Sequence, residues 1–298
     1  AYATSKGMRA VISTNGTLIT KEMAKTLKEV KLSYVGVSLD GMEETNDKFR
    51  GMEGAFQDAL TGIRNCIAEG IKVGLRFTIN KRNAQDVPYI FELIEAEKIP
   101  RVCFYHLVYA GRGSKMIKDE LTHDETRKVV RLIMDKTKEA HSRGFEAEVL
   151  TVDNHADGPF VYLELLKEDK ERAKEVYKLL QMNQGNGTGI AIGCVSWDGA
   201  VHADQFWRHY SFGNVKDRPF SEIWTDTSDP LMAGLKDRKP LLKGRCPKCK
   251  WLNICNGNFR VRAEAVYDDV WADDPACYLS DEEIGLKEEV SSVVGEGG

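Results

Sequence analysis

Short apolar runs alternate with longer amphipathic stretches through the first half of the chain. Residues 9–15 (Arg-Ala-Val-Ile-Ser-Thr-Asn), 34–40 (Tyr-Val-Gly-Val-Ser-Leu-Asp), 72–79, 101–109 and 146–152 each read as a buried strand. Between them the apolar positions recur at helical spacing. A helix is expected from the cap residue Thr20 to about Val30. Further helices are expected over 55–69, closed by Gly70, over 87–97, and over 123–142, closed by Gly144. The opening residues read as the end of a helix capped at Gly7. This strict alternation predicts a parallel sheet covered by helices, either open or curled into a barrel. In such folds ligands gather at the C-terminal ends of the strands. Those ends carry Ser13, Thr14 and Asn15; Ser38 and Asp40; Thr78 and Asn80; and His106, Tyr109 and Arg112. Any one Asn-Gly or Asp-Gly pair is ordinary turn chemistry. Four successive polar strand ends point to a ligand face.

The pattern changes after Asn154. Residues 159–182 read as one long charged helix, and Gln184-Gly-Asn-Gly-Thr-Gly as a flexible connector. Residues 190–202 read as a hairpin turning at Asp198-Gly199. Pro219-Phe-Ser-Glu-Ile-Trp224 reads as a helix start capped by Ser221. The expected organisation is the strand–helix domain over 1–153, a helical linker over 154–189, a small cysteine-bearing domain over 190–285 and a flexible tail over 286–298.

Composition narrows the classes. The 298 residues carry a net charge of -4, which gives no reason to expect nucleic acid as a partner. No apolar run approaches the length of a membrane helix, so no membrane partner is expected. Seven cysteines without an export signal fit reduced thiols in the cytoplasm. Cys66 and Cys103 sit in apolar segments and read as packing. Cys246, Cys249, Cys255 and Cys277 are spaced C-x2-C-x5-C-x21-C, which suits a four-thiolate metal site. Zinc and an iron–sulfur cluster both remain open, although the absence of a second C-x2-C knuckle tilts toward [4Fe–4S]. Cys194, on the hairpin, is an additional candidate ligand.

Several motifs resemble those of radical S-adenosylmethionine enzymes: Ser13-Thr-Asn-Gly16, Val37-Ser-Leu-Asp-Gly41, Arg50-Gly51 and Thr78-Ile-Asn80. The C-terminal cysteines resemble the SPASM or twitch auxiliary-cluster domain. The tetrapyrrole-modifying branch is resembled by His106-Leu-Val-Tyr-Ala-Gly-Arg-Gly113, Asn154-His-Ala-Asp-Gly158 and Val201-His-Ala-Asp-Gln-Phe-Trp207. Gly213–Trp224 and Cys255–Arg262 resemble that branch too. The implied fold is α/β: a (β/α)6 radical SAM barrel lacking its first strands, plus a SPASM-like iron–sulfur domain. The family's C-x3-C-x2-C loop and Gly-Gly-Glu element are absent. The expectation is therefore a longer protein whose catalytic cluster lies upstream of Ala1, and a chain inactive by itself.

The resemblance implies S-adenosylmethionine and [4Fe–4S] clusters as cofactors, one catalytic and one auxiliary. It assigns Thr14, Asn15, Ser38, Asp40 and Asn80 to S-adenosylmethionine. It assigns Cys246, Cys249, Cys255 and Cys277 to the auxiliary cluster. A further auxiliary cluster should fail, because Phe259 and Arg218 stand in ligand positions. The implied partners are an iron tetrapyrrole and an electron donor such as ferredoxin or flavodoxin. The substrate's carboxylates call for cations, and His106, Tyr109, Arg112, His202 and Arg208 are the substrate candidates, with His209, Arg260 and Arg262 beside them. Gly193-Cys194-Val-Ser-Trp-Asp-Gly199 favours removal of two acetate side chains from 12,18-didecarboxysirohaem, giving iron-coproporphyrin III. The alternatives are propionate chemistry toward haem d1, decarboxylation of iron-coproporphyrin III, a peptide-maturing enzyme, and a zinc-stabilised module without catalysis.

Overall fold

The computed structural model describes residues 1–286. The tail expected over 286–298 thus lies outside the described residues, apart from its first. Two compact units are present: residues 1–107 with 115–153, and residues 108–114 with the chain from 154 onward.

The first unit is built on five parallel strands in chain order, β1 (Val11–Thr14), β2 (Tyr34–Ser38), β3 (Val73–Thr78), β4 (Arg101–Tyr105) and β5 (Glu148–Val152). Parallel neighbours need long crossovers, and the amphipathic stretches supply them as helices Lys21–Glu29, Ala55–Ala68, Val87–Ala96 and His123–Ser142. Thr20 caps the first of these, accepting from Met23 N at 3.2 Å. One face of the sheet presents Val35, Val37, Val73, Leu75, Phe77, Val102 and Phe104 to helix residues such as Ile63, Ile90, Ile94 and Ile133. Each such side chain contributes roughly 1.5–3 kcal/mol by burial. Cys66 lies in this core, and burial pushes its thiol pKa up.

Period-two geometry puts a different set on the opposite face. There the Arg76 guanidinium lies 4.3 Å from the Tyr105 ring and that of Arg101 5.2 Å from the Tyr34 ring. Gly36 makes room for this layer: a Cβ there would sit 2.8 Å from Arg76 Cδ. Cys103 belongs to this face rather than to the helix-covered core.

The strand forecast over 101–109 runs too long: β4 ends at Tyr105, and Gly111–Asp119 forms 3-10 turns. A helix at Glu43–Arg50 was not expected, because it is almost wholly polar and shows no apolar stripe. It is fixed instead by buried Asn46, whose Oδ1 accepts from Asp40 N at 3.0 Å.

In the second unit, the single helix expected over 159–182 is two, Asp157–Glu168 and Lys170–Asn183. Asp169 turns extended between them and accepts from Arg172 N at 3.0 Å, so capping chemistry defeats helix continuity. These helices pack inside this unit rather than bridging as a linker: Tyr162, Tyr177 and Trp251 form an aromatic cluster. The glycine-rich 184–189 stretch is pinned rather than free. Asn186 N donates to Cys255 O at 3.2 Å, and Thr188 Oγ1 donates to Asp204 at 2.6 Å. The hairpin forms as β6 (Cys194–Val195) and β7 (Val201–His202), with Gly199 at φ +93 in its turn. Helix Phe220–Thr225 starts after Pro219, which places Ser221 inside it and not at its cap.

Candidate functional site

Cys246, Cys249, Cys255 and Cys277 line one cavity with Trp251, Leu252, Leu279 and Ile284. The local sequence aims each thiol. Cys246 to Lys248 is a single 3-10 turn held by Pro247 near its start, so the two sulfurs of the C-x2-C pair come from one bend. Cys255 ends helix Leu252–Cys255. The next three residues, Asn256, Gly257 and Asn258, all take positive φ, at 52, 76 and 57°. Asn and Gly are the residues that tolerate this conformation, and it reverses the chain around the thiol.

Cys277 is held from both sides by the Asn154–Gly158 motif. Asn154 Nδ2 donates to Ala276 O at 2.8 Å, and Tyr278 Oη donates to Asp157 Oδ1 at 2.6 Å. Asn258 joins the two ligand loops, accepting from His155 N and donating to Asn154 Oδ1, each at 2.8 Å. The sulfurs receive hydrogen bonds of their own: Arg245 Nη2 donates to Cys277 Sγ at 3.3 Å and Trp251 N to Cys249 Sγ at 3.4 Å. Burial raises the pKa of all four thiols, Cys255 to about 12. Four thiols gathered in one cavity can all be ligands once a metal takes their protons. Cys194 does not line this cavity. Its thiol pKa is raised by burial, against the pull of the nearby Arg208 charge.

Beside the cavity, His155 stacks on Phe259, with ring centroids 5.8 Å apart, and Phe206 meets Phe259 edge-on. Phe259 is thus engaged in aromatic packing. Arg218 ion-pairs with Asp226 at 2.8 Å. Burial, aided by the Arg262 charge, lowers the His155 pKa to about 4. The unfolded chain then takes up a proton near pH 6.5 that the folded chain refuses until about pH 4, so stability is lost as pH falls through that window. Urea unfolding should show a loss of about 2 kcal/mol between pH 7 and pH 5. His155→Phe should flatten that slope; an unchanged slope would remove His155 as its cause.

A second cavity, of about 730 Å³, is lined by Tyr109, Phe206, Arg208, His209, Val261, Glu264 and Asp268, among others. It brings together the substrate candidates Tyr109 and Arg208. The others go elsewhere. Arg112 is exposed on the 3-10 segment, and His106 is buried in the first unit. His202 is a structural histidine: it is buried, with Nε2 2.8 Å from Ser196 Oγ and Nδ1 2.7 Å from Tyr210 O, leaving no nitrogen for iron or carboxylate. Arg260 and Arg262 are likewise not substrate cations. Arg260 donates to the carbonyls of Val270, Ala272 and Gly257, and Arg262 forks onto Asp274.

At the strand ends of the first unit, Asp40 is buried and ion-paired with Arg50. Asn80 is fully buried and spent on its own turn, donating to Thr78 O and accepting from Arg82 N. These contacts brace the strand ends. Thr14 Oγ1 accepts from Gly16 N at 3.1 Å, and exposed Asn15 accepts from Thr17. Ser38 is half-buried and stands in register with Arg76. Arg76 was missed by motif reasoning. Its signal is a cation inside an apolar strand, and among the described residues it has no carboxylate partner.

Comparison with known proteins identifies the family. The Radical SAM superfamily description matches residues 1–94, and the SPASM iron-sulfur cluster-binding domain matches residues 191–250. "Fe-coproporphyrin III synthase" of Methanosarcina barkeri is 73% identical over 291 residues, covering 97% of this chain and 73% of that protein. The chain belongs to the radical SAM superfamily. Within it, the relatives mark the haem-pathway branch: "Pre-heme d1 synthase" of Dinoroseobacter shibae is 39% identical, covering 97% of this chain and 73% of that protein. The fold agrees with that of Streptococcus suis SuiB bound to S-adenosylmethionine, at TM-score 0.68 and 17% identity, over 93% of this chain and 61% of that one.

Radical SAM enzymes with SPASM domains use S-adenosylmethionine and [4Fe–4S] clusters, and the four-thiol cavity fits a cluster. Around a single zinc ion, tetrahedral sulfurs would lie about 3.8 Å apart, given Zn–S bonds near 2.3 Å. Among the described residues no three His, Cys, Asp or Glu side chains are arranged to hold one metal ion. No described helix is long and apolar enough to cross a membrane.

Proposed function

We propose that this radical SAM enzyme removes the two acetate side chains of 12,18-didecarboxysirohaem to give iron-coproporphyrin III. The observation that carries this is 73% identity, over nearly the whole chain, to a protein named for that product, against 39% to the haem d1 relative. A reduced [4Fe–4S] cluster acting on S-adenosylmethionine supplies the hydrogen-abstracting radical. This chain's residues bind and position. Ser38 and Arg76 stand together at the end of the sheet, where an unpaired guanidinium suits the carboxylate of S-adenosylmethionine, with Thr14 and Asn15 on the neighbouring strand end. Asp40 and Asn80 hold those loops in shape. The four cysteines hold the auxiliary cluster, and Arg245 and Trp251 N orient two of its sulfurs. Electrons come from a small carrier of the ferredoxin or flavodoxin kind.

Anaerobic turnover with 12,18-didecarboxysirohaem, S-adenosylmethionine and reductant tests the reading by mass spectrometry. The expected product is lighter by two acetate groups. Loss of propionates would indicate the haem d1 reaction instead. Loss of two carboxyls from added iron-coproporphyrin III would indicate the haem-forming one.

A further inference from the structure

We infer that the cavity around Arg208 is the subsite that reads a propionate carboxylate of the tetrapyrrole, with Trp197 as the residue that aims its guanidinium. This rests on the proposed tetrapyrrole substrate and deepens it.

One observation carries this, and a second bounds the site. The first is Trp197, on the turn of the β6–β7 hairpin. It is 82% exposed, and the Arg208 guanidinium lies 4.2 Å from its ring. A bare indole on a tight turn adds nothing to the core. What it does is hold a flexible cation flat, and among the described residues Arg208 has no carboxylate partner. A guanidinium held in plane and left without an anion is set for bidentate carboxylate binding. The second is His209, next along the chain. Its ring stacks on buried Trp207 at 5.6 Å, and its Nε2 lies 2.8 Å from Glu264 Oε2. With Nε2 donating to that carboxylate, the ring is fixed and Nδ1 is an acceptor that offers nothing to an anion, so Arg208 alone supplies the donors.

Both side chains line the 730 Å³ cavity together with apolar Phe206, Val261 and Ala265 and with Tyr109 and Gln205. An apolar wall beside one unpaired cation matches the edge of a macrocycle carrying a carboxylate. Glu264 and Asp268 also line the cavity. Both carboxylates repel an entering anion, which leaves the Arg208 guanidinium as its seat. The hairpin would then supply Trp197, which contacts no substrate, and the segment after it Arg208, which does.

The test is anaerobic titration of the full chain with iron-coproporphyrin III, followed by the Soret band and by quenching of tryptophan emission. Its tetramethyl ester serves as the second probe. Arg208→Ala should weaken binding of the tetra-acid by tenfold or more. Arg208→Lys should recover only part of this, because an ammonium cannot fork. Trp197→Ala should weaken it several-fold while leaving binding of the ester unchanged. The ester should bind wild type about as weakly as the acid binds Arg208→Ala, and that variant should not distinguish the two probes. Unchanged iron content and circular dichroism would show the exposed-site variants to be folded. Equal affinity of wild type and Arg208→Ala for the acid, or of acid and ester for wild type, would overturn the subsite alone. A wild-type chain that binds neither probe would overturn the tetrapyrrole reading with it.

Discussion

Cys255→Ala is expected to empty the four-thiol cavity. Iron should fall from about four per chain to well under one, and the visible absorbance of the cluster should vanish with it. The thiol sits at the one point where three successive left-handed residues reverse the chain, so no neighbouring cysteine can take its place. Cys66→Ala and Cys103→Ala, both in the first unit, should retain full iron. Equal iron in Cys255→Ala and wild type would sink the assignment. Metal removal from the native sequence should expose a matching pH effect. Burial raises the thiol pKas, so the metal-free folded chain keeps protons that the unfolded chain releases above about pH 8.5. The folded form therefore binds more protons, and its stability should decline as pH rises from about 8.5 toward 12. The loaded protein, whose thiolates are already ionised by the metal, should not follow it.

Strands and the clustering of the C-terminal cysteines were legible in the sequence because their signals are local. Val35, Val37, Val73, Leu75 and Phe77 advertise a sheet by composition alone, and C-x2-C fixes two sulfurs within one turn. The role of polar residues was not legible, because it depends on what long-range packing brings near. Arg260 and Arg262 look from sequence like free cations after a cluster ligand. Buried, they satisfy carbonyls and Asp274, which lies twelve residues on from Arg262. His202 follows the same rule, since a strand-borne histidine meets Ser196 only once the hairpin closes. Arg76 shows the reverse error: a cation inside an apolar strand reads as a flaw in the pattern until Tyr105 and Ser38 are set beside it. The Asn154–Gly158 motif was noticed as a family signature. Its work, gripping the backbone on either side of Cys277, is carried by bonds spanning more than a hundred residues. The break at Asp169 was legible in principle, since an aspartate followed by Lys-Glu-Arg is a capping signal, but helical periodicity on both sides masked it.

Asp274→Ala should be among the most destabilising single changes away from the cysteines. Burial alone would raise the Asp274 pKa, but the Arg262 charge and hydrogen bonds outweigh it and leave the carboxyl below its usual range. The carboxylate accepts from Arg262 Nε and Nη2, from Phe259 N at 2.9 Å and from Ala276 N at 2.9 Å. It thus ties the loop after Cys255 to the loop before Cys277. Removing it strands a fully buried guanidinium, at a cost of about 3–5 kcal/mol. In a unit of this size that is a fall of roughly 6–20 °C in Tm. Iron content should drop too, because Cys277 N donates to Asp274 O at 3.0 Å and its loop loses its brace. The conservative Asp274→Asn should retain part of the backbone bonding and lose less. Replacing the pair together, Arg262→Met with Asp274→Leu, should recover much of the stability, because the uncompensated charge is gone, yet recover less of the iron, because the bonds to Phe259 N and Ala276 N remain unmade. A Tm change under 2 °C in Asp274→Ala would mean that water reaches Arg262, contrary to the burial seen here. Equal recovery of stability and iron in the double variant would mean that the ion pair, and not the backbone brace, shapes the cluster site.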